Sequence, residues 1–450
     1  VTSPSSDDKL NFQVVTFEQY MLADHSPEFP MSFAFEFRLD QPIDLDRLKA
    51  SADATLPWHP LLSSLLSADS QYWQFTTPDA QLIKDQHPAE SLVFDLKTQT
   101  GLKIFQWSGS GNETNIAMLF HHACCDGLGS WRFVRDVAEV YTSGNTKALE
   151  SRWSPADAAE HLRSHRKSYG RNRFWHFVRW PLDLLGMLWT YEVVFGRPRS
   201  LNSPDKESIE SKSRASSIAE CVSIQFTPAE TKTVKSISKR NGQTLNDRLI
   251  ELSFLALDTA LEESDPEANP LIRVIVPMNL RARSPKTAAN MVAMVNLDRR
   301  VRKRRVSGAS NGLRKGLRWE TALIKRIDAG VTANRFLQMQ KAIFGSWQMS
   351  SKTKRCLATC PVSNLGFLGG AFTNHHDGRN EPLRFGEVNV DSVRLFCAVL
   401  RSNTNLIAAA FSYRGALTID LTFNPSELAP SDVEQLANRL RLSLLNEEDG

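Results

Sequence analysis

Cysteine is scarce in this chain: six in 450 residues, Cys124, Cys125, Cys221, Cys356, Cys360 and Cys397. None sits in a CxxC pair or at zinc-finger spacing, which excludes a recognisable zinc module. Cys124 and Cys125 are neighbours, a poor geometry for an ordinary disulfide. Reduced thiols in a cytoplasmic protein are the expectation. Cys356 and Cys360 are expected to share a helix face and to pack rather than bind metal. The opening ten residues are polar and contain no apolar core of a secretory signal. No run reaches the ~20 mostly apolar residues that a bilayer-spanning helix needs. Walker A, dinucleotide-binding glycine, HExxH and EF-hand patterns are all missing, so no resident metal or redox cofactor is expected. An excess of one charge is missing too. Fifty-four Lys and Arg face 50 Asp and Glu, a net charge of +4, too little to argue for nucleic acid.

What is present is ordinary globular usage, 41% apolar and 23% charged, in a chain long enough for two packed domains. Residues 1–12 read as a flexible tail. Residues 31–39 alternate, with Phe33, Phe35 and Phe37 on one face, and predict a strand. Leu45, Leu48 and Ala52 have helical spacing within 44–56, and Pro57 stops that helix before His59-Pro60-Leu61-Leu62. A short strand is expected at 72–75. The apolar run 116–120 suits a strand buried on both faces. Trp131, Val134, Val137, Ala138 and Tyr141 then mark a helix that ends near Gly144. Strand, tight loop and helix form one unit, and the loop carries His121-His122-Ala123-Cys124-Cys125-Asp126-Gly127.

Residues 173–195 hold many Phe, Trp and Leu, interrupted by His176, Arg179, Asp183 and Glu192. The plain reading is a core or domain-bridging helix. The sharper one is a hydrophobic flap on a membrane or over a greasy substrate, giving peripheral membrane contact. Residues 200–217 are rich in Ser, Lys and Glu and read as a linker between subdomains at 13–199 and 218–450. The second half restarts an α/β pattern. A strand at 222–226 precedes the capping box Thr227-Pro228-Ala229-Glu230 and a helix that ends at Gly242. A longer helix at 246–261, a strand at 272–276, a hairpin of 406–413 with 416–423 turning at Arg414-Gly415, and a terminal helix through Val433, Leu436 and Leu440 follow.

Two histidines at the end of a buried strand point to opposite sides, so one can face a cavity and the other the core. Asp126, four residues after His122, needs a partner if buried, and an Arg suits it. A neutral imidazole, with a pKa of about 6.5, can take a proton from an alcohol or amine near neutral pH.

The HHxxxDG pattern on a strand-loop-helix resembles the CoA-dependent acyltransferase superfamily. That superfamily includes chloramphenicol acetyltransferase-like enzymes, peptide-synthetase condensation domains, polyketide-associated acyltransferases and wax ester synthases. His59-Pro60-Leu61-Leu62, Thr244-Leu245-Asn246-Asp247, Pro277 to Arg281 and Pro361-Val362-Ser363-Asn364-Leu365-Gly366 occur in the family's order. The condensation-like or polyketide-associated type fits best. The plant branch's Asp-Phe-Gly-Trp-Gly motif is reduced here to Phe385-Gly386.

The resemblance implies an α/β fold of two chloramphenicol-acetyltransferase-like subdomains forming a V with a central tunnel. It implies acyl transfer from CoA or a phosphopantetheinyl carrier thioester to a hydroxyl or amine, without an acyl-enzyme. His122 matches the general base. Asp126 and Gly127 match structural positions, and His121 is expected to support the loop. Ser363 and Asn364 are candidate oxyanion or substrate contacts. Arg281 either pairs within the loop or contacts the donor. An acyl carrier protein is a candidate partner. The alternatives are a wax ester or diacylglycerol-type synthase using long-chain acyl-CoA, and a non-catalytic condensation-fold binding module. Asn374-His375-His376-Asp377-Gly378 lacks the motif's spacer and reads as an exposed loop. The basic run 299–305 reads as solvated or partner-facing.

Overall fold

The computed structural model describes residues 11–446 except 110–113, 169–172, 184–195, 203–218, 266–268, 282–286, 301–309, 346–355, 370–380, 399 and 402. In chain order the first strands are β1 (Asn11–Gln13), β2 (Ser32–Leu39), β3 (Ser64–Leu66), β4 (Tyr72–Phe75), β5 (Gln81–Lys84), β6 (Leu102–Ser108) and β7 (Thr114–His121). Then come β8 (Glu220–Gln225), β9 (Ile272–Asn279), β10 (Val292–Arg299) and β11 (Cys360–Leu368). The last are β12 (Arg384–Phe385), β13 (Val388–Cys397), β14 (Leu406–Tyr413) and β15 (Ala416–Phe423).

The chain divides into two compact units, and neither is a contiguous half. The first takes Val1–Val178, Asn279–Val292 and Leu368–Ala398; the second takes Arg179–Met278, Ala293–Phe367 and Val399–Gly450. The expected split into 13–199 and 218–450 is corrected accordingly. Strand pairing is the reason. The six-stranded sheet of the first unit runs β12-β13-β2-β7-β6-β5, so strands from late in the chain complete it. β13 lies antiparallel to β2, with Leu395 opposite Phe35 and Val393 opposite Phe37. β7 is flanked on both sides, by β2 and β6, and Ile116 to Phe120 are all fully buried. A small sheet, β1-β4-β3, belongs to the same unit.

The second unit has its own six-stranded sheet, β10-β9-β11-β14-β15-β8. Its core gathers Phe254, Leu257, Val274, Ala408, Ile419, Leu421 and Leu436. β14 and β15 pair in full register about Arg414-Gly415, where φ is 49° and 81°. Two positive φ values in a two-residue loop match the right-handed twist of the flanking strands. Thr227 and Glu230 form the expected capping box of the helix Pro228–Arg240.

Several expectations change. The tail is shorter than 1–12, because β1 pairs with β4 and Phe12 is only 1% exposed. The linker begins later than residue 200: Leu201 joins the second core, and its carbonyl accepts from the Asn405 amide. Cys360 lies on β11 and Cys356 in the segment before it, so no helix face joins them. Burial pushes the Cys356 thiol up to about 11 and the Cys360 thiol up to about 12, which keeps both protonated. Arg299 pairs with Glu320, Arg300 donates to the Asn269 carbonyl and Arg314 to Glu251, so these basic residues are engaged within their own unit. Residues 301–309 and the Asn374 to Gly378 stretch lie outside the described residues. The described part of 173–195 is no core helix: Phe174 and Phe177 are 73% and 77% exposed. Residues 184–195 of that stretch lie outside the described residues. Among the described residues no helix is long and apolar enough to cross a membrane.

One buried histidine holds the first unit's helices together. The helix Leu45–Thr55, N-capped by Asp44, passes through a tight turn at Leu56–Trp58 into His59. Nδ1 of His59 accepts from the Ala288 N–H at 2.9 Å, so the ring is neutral and its Nε2–H donates to Asp136 at 3.0 Å. Full burial holds the His59 pKa below its ordinary value; the Asp136 contact pulls the other way and is outweighed. The unfolded chain therefore binds this proton more readily than the fold does. Stability from His59 is complete above about pH 6.5 and is lost as pH falls below that value. In urea unfolding between pH 7.5 and 5.5, His59→Asn, which cannot titrate, should show a shallower pH slope than the parent; equal slopes would refute the assignment.

Candidate active site

β7 ends at His121, a tight loop follows, and the helix Gly127–Ser143 begins with Asp126 as its N-cap. The Asp126 carboxylate is 3% exposed and fully hydrogen-bonded. Its Oδ1 accepts the Gly129 N–H at 2.9 Å, which caps the helix. Its Oδ2 accepts the Met291 N–H, also at 2.9 Å. Arg281 closes the set as a two-pronged pair, Nη1 to Oδ2 at 2.7 Å and Nη2 to Oδ1 at 2.5 Å. Nη2 also donates to the Ala289 carbonyl at 2.6 Å. Of its two expected roles, Arg281 therefore fills the loop-pairing one. The approach of helix to segment is close. A Cβ on Gly129 would lie 2.9 Å from the Ala289 carbonyl oxygen and 3.0 Å from Arg281 Nη2.

The two motif histidines, one at the end of β7 and one in the turn after it, diverge. His121 is fully buried. Its Nδ1 accepts the Ala123 N–H at 3.2 Å, so the ring proton sits on Nε2 and points at His25 Nδ1, 3.1 Å away. His25 Nδ1 also accepts the Met31 N–H at 3.2 Å. This ring is a strut of the loop.

His122 is half-buried against Phe33, with ring centroids 5.0 Å apart. Its backbone N–H donates to the Met31 carbonyl at 2.7 Å. Its carbonyl accepts the Asn290 amide at 2.7 Å, and the same amide nitrogen lies 3.2 Å from Nδ1. Asn290 is 4% exposed. Backbone, carbonyl and ring of His122 are thus all held, while part of its surface stays accessible. An imidazole so placed can exchange a proton with a bound molecule.

Other nucleophiles in the loop are poor. Burial pushes the Cys124 and Cys125 thiols well above their usual range, so neither offers a thiolate near neutral pH. Among the described residues no cluster of His, Cys, Asp or Glu could hold a metal ion. His121, His122, Asp126, Gly127 and Arg281 come together in the first unit. Ser363 and Asn364 lie half-buried on β11, in the second unit's sheet, where Asn364 Oδ1 accepts the Gly366 N–H at 2.9 Å. Sequence reasoning missed Asn290, His25 and Asp136. No local spacing marks them, since Asn290 is 168 residues from His122.

No protein-family model and no curated protein sequence matches the chain. Solved structures do. The first condensation domain of the CDA synthetase superposes with a TM-score of 0.62 at 14% identity, over 97% of this chain and 95% of that one. Polyketide synthase associated protein 5 from Mycobacterium tuberculosis gives 0.57 at 14% identity, over 98% of each chain. TRI3 trichothecene 15-O-acetyltransferase from Fusarium sporotrichioides gives 0.66 at 12% identity, over 96% and 95%. The chain has the condensation-domain fold. Within that fold the motif loop occupies the end of a central strand, and its ion pair joins residues 155 apart.

Removing either partner of that pair leaves a buried charge. Arg281→Ala should cost about 3–5 kcal/mol of stability, read from urea unfolding. A loss of about 0.5 kcal/mol, the size of a surface substitution, would show that the pair does not hold the loop.

Proposed function

We propose that this protein is an acyltransferase that moves an acyl group from a thioester, CoA or a phosphopantetheinyl carrier, to a hydroxyl or amine. The observation that carries the reading is His122, half-buried and held at three points, in an HHxxxDG loop locked by the Asp126–Arg281 pair. The fold supports it, since structures sharing that fold include condensation domains and a 15-O-acetyltransferase.

In the proposed reaction the acceptor O–H or N–H attacks the thioester carbonyl carbon directly. The acceptor's proton passes to His122 as the new bond forms. The tetrahedral intermediate collapses, the C–S bond breaks, and the thiolate takes the proton back from the imidazolium. No acyl-enzyme forms, in keeping with the protonated Cys124 and Cys125. The thioester is a substrate, and no resident cofactor enters. Ser363 and Asn364 remain proposed oxyanion or substrate contacts.

Asn290, whose amide donates to the His122 carbonyl and whose nitrogen lies 3.2 Å from Nδ1, positions the ring of the proposed base. The test is thiol release from a panel of short to long acyl-CoAs with mixed alcohols and amines. His122→Ala should lower acceptor-dependent turnover by at least ~100-fold. Asn290→Ala should lower kcat on the order of 10²-fold through misplacement of the ring, with circular dichroism unchanged. Turnover retained in His122→Ala would contradict the mechanism. Loss of release with every CoA, but not with an acyl carrier thioester, would assign the donor to a carrier protein.

A further inference from the structure

The five residues from Arg179 to Asp183 reverse the usual order of burial. Arg179 is 6% exposed and Asp183 fully buried, while Trp180 and Leu182 are 51% and 55% exposed. The charged residues are anchored inward. Arg179 Nε donates to Asp183 Oδ1 at 2.8 Å, and Arg179 Nη2 donates to Thr332 Oγ1 at 2.7 Å and to the Asp328 carbonyl at 3.1 Å. Asp183 also accepts from Thr332 Oγ1 at 2.6 Å and from Arg335. Thr332 and Arg335 belong to the helix Ala329–Phe344. A buried ionic clasp therefore fixes this turn with its apolar side chains outward. Such an arrangement is stable in water only at a cost, because hydrophobic burial favours the opposite one.

The residues just before it in the chain continue the pattern. Phe174, Phe177 and Val178 are 73%, 77% and 57% exposed. From residue 161 to residue 182 the chain carries six Lys and Arg and no Asp or Glu. Arg166 pairs with Glu18, Arg179 pairs with Asp183, and Arg163 lies over the Phe12 ring. By sequence the stretch is strongly cationic.

We propose that residues 174–182 dock the protein on an anionic lipid bilayer. Phe174, Phe177, Trp180 and Leu182 would enter the boundary between headgroups and acyl chains, and the net positive charge of residues 161–182 would favour an anionic surface. Outward Phe and Trp combined with cationic charge suit that boundary. A second copy of the chain suits it less, since a symmetric contact would set the same positive charge against itself. The proposal is independent of the acyl-transfer reading.

The experiment is co-sedimentation of the full chain with phosphatidylcholine vesicles, with and without phosphatidylserine. Binding should require phosphatidylserine, weaken with added salt, and fall at least ~10-fold in Phe177→Ser/Trp180→Ser/Leu182→Ser. Phe174→Ser/Phe177→Ser, at residues that take no part in the clasp's hydrogen bonds, should fall in the same direction and guards against a misfolded triple variant. Absence of binding to both vesicle types, or equal binding by parent and variants, would overturn the proposal. So would a concentration-dependent dimer in light scattering that the substitutions abolish, since the face would then belong to a second copy.

Discussion

The first unit depends on one carboxylate. Asp126 caps a helix, accepts a backbone N–H from residue 291, and takes both prongs of Arg281. A buried charge with four donors is tolerable; with one donor removed it is not. The pair therefore forces the segment 287–291 against the motif loop, and its neighbours use that closeness. Ala288 donates to His59, Ala289 accepts from Arg281, and Asn290 holds the carbonyl of His122. The contacts to His59 and His122 span 229 and 168 residues, so the loop geometry belongs to the tertiary fold rather than to the seven motif residues.

This arrangement separates two side chains that are adjacent in sequence. His121 spends Nδ1 on the loop backbone and turns Nε2 to His25, while His122 keeps a partly accessible ring. The thiols between them and Asp126 are buried and protonated. Of the groups in the loop, His122 is the one proposed to move a proton. Held on three sides, it would lose little freedom when an acceptor binds, which is where positioning contributes most to rate.

Local features were legible in the sequence and long-range ones were not. Strands 72–75, 406–413 and 416–423 appear with the expected ends because alternation and turn residues mark them. The capping box at Thr227 and the glycine stop at Gly144 are equally local. The HHxxxDG loop was legible because its chemistry is contiguous. The insertion of β13 beside β2 was not, since strand order depends on distant contacts such as Leu395 with Phe35, 360 residues apart. Asn290 and His25 were missed for the same reason. The four-residue spacing of Cys356 and Cys360 misled, because a spacing of four also occurs where a loop enters a strand. At Arg179 to Asp183 composition suggested a core helix, whereas the charged residues are buried and the apolar ones exposed.

The central claim, that His122 is the proton acceptor in direct acyl transfer, is tested most directly by the pH dependence of kcat/KM. The parent should show an acidic limb governed by a single ionisation in the histidine range, and the residual rate of His122→Gln should lack it. A limb that persists unchanged in His122→Gln would place the essential base elsewhere and contradict the account.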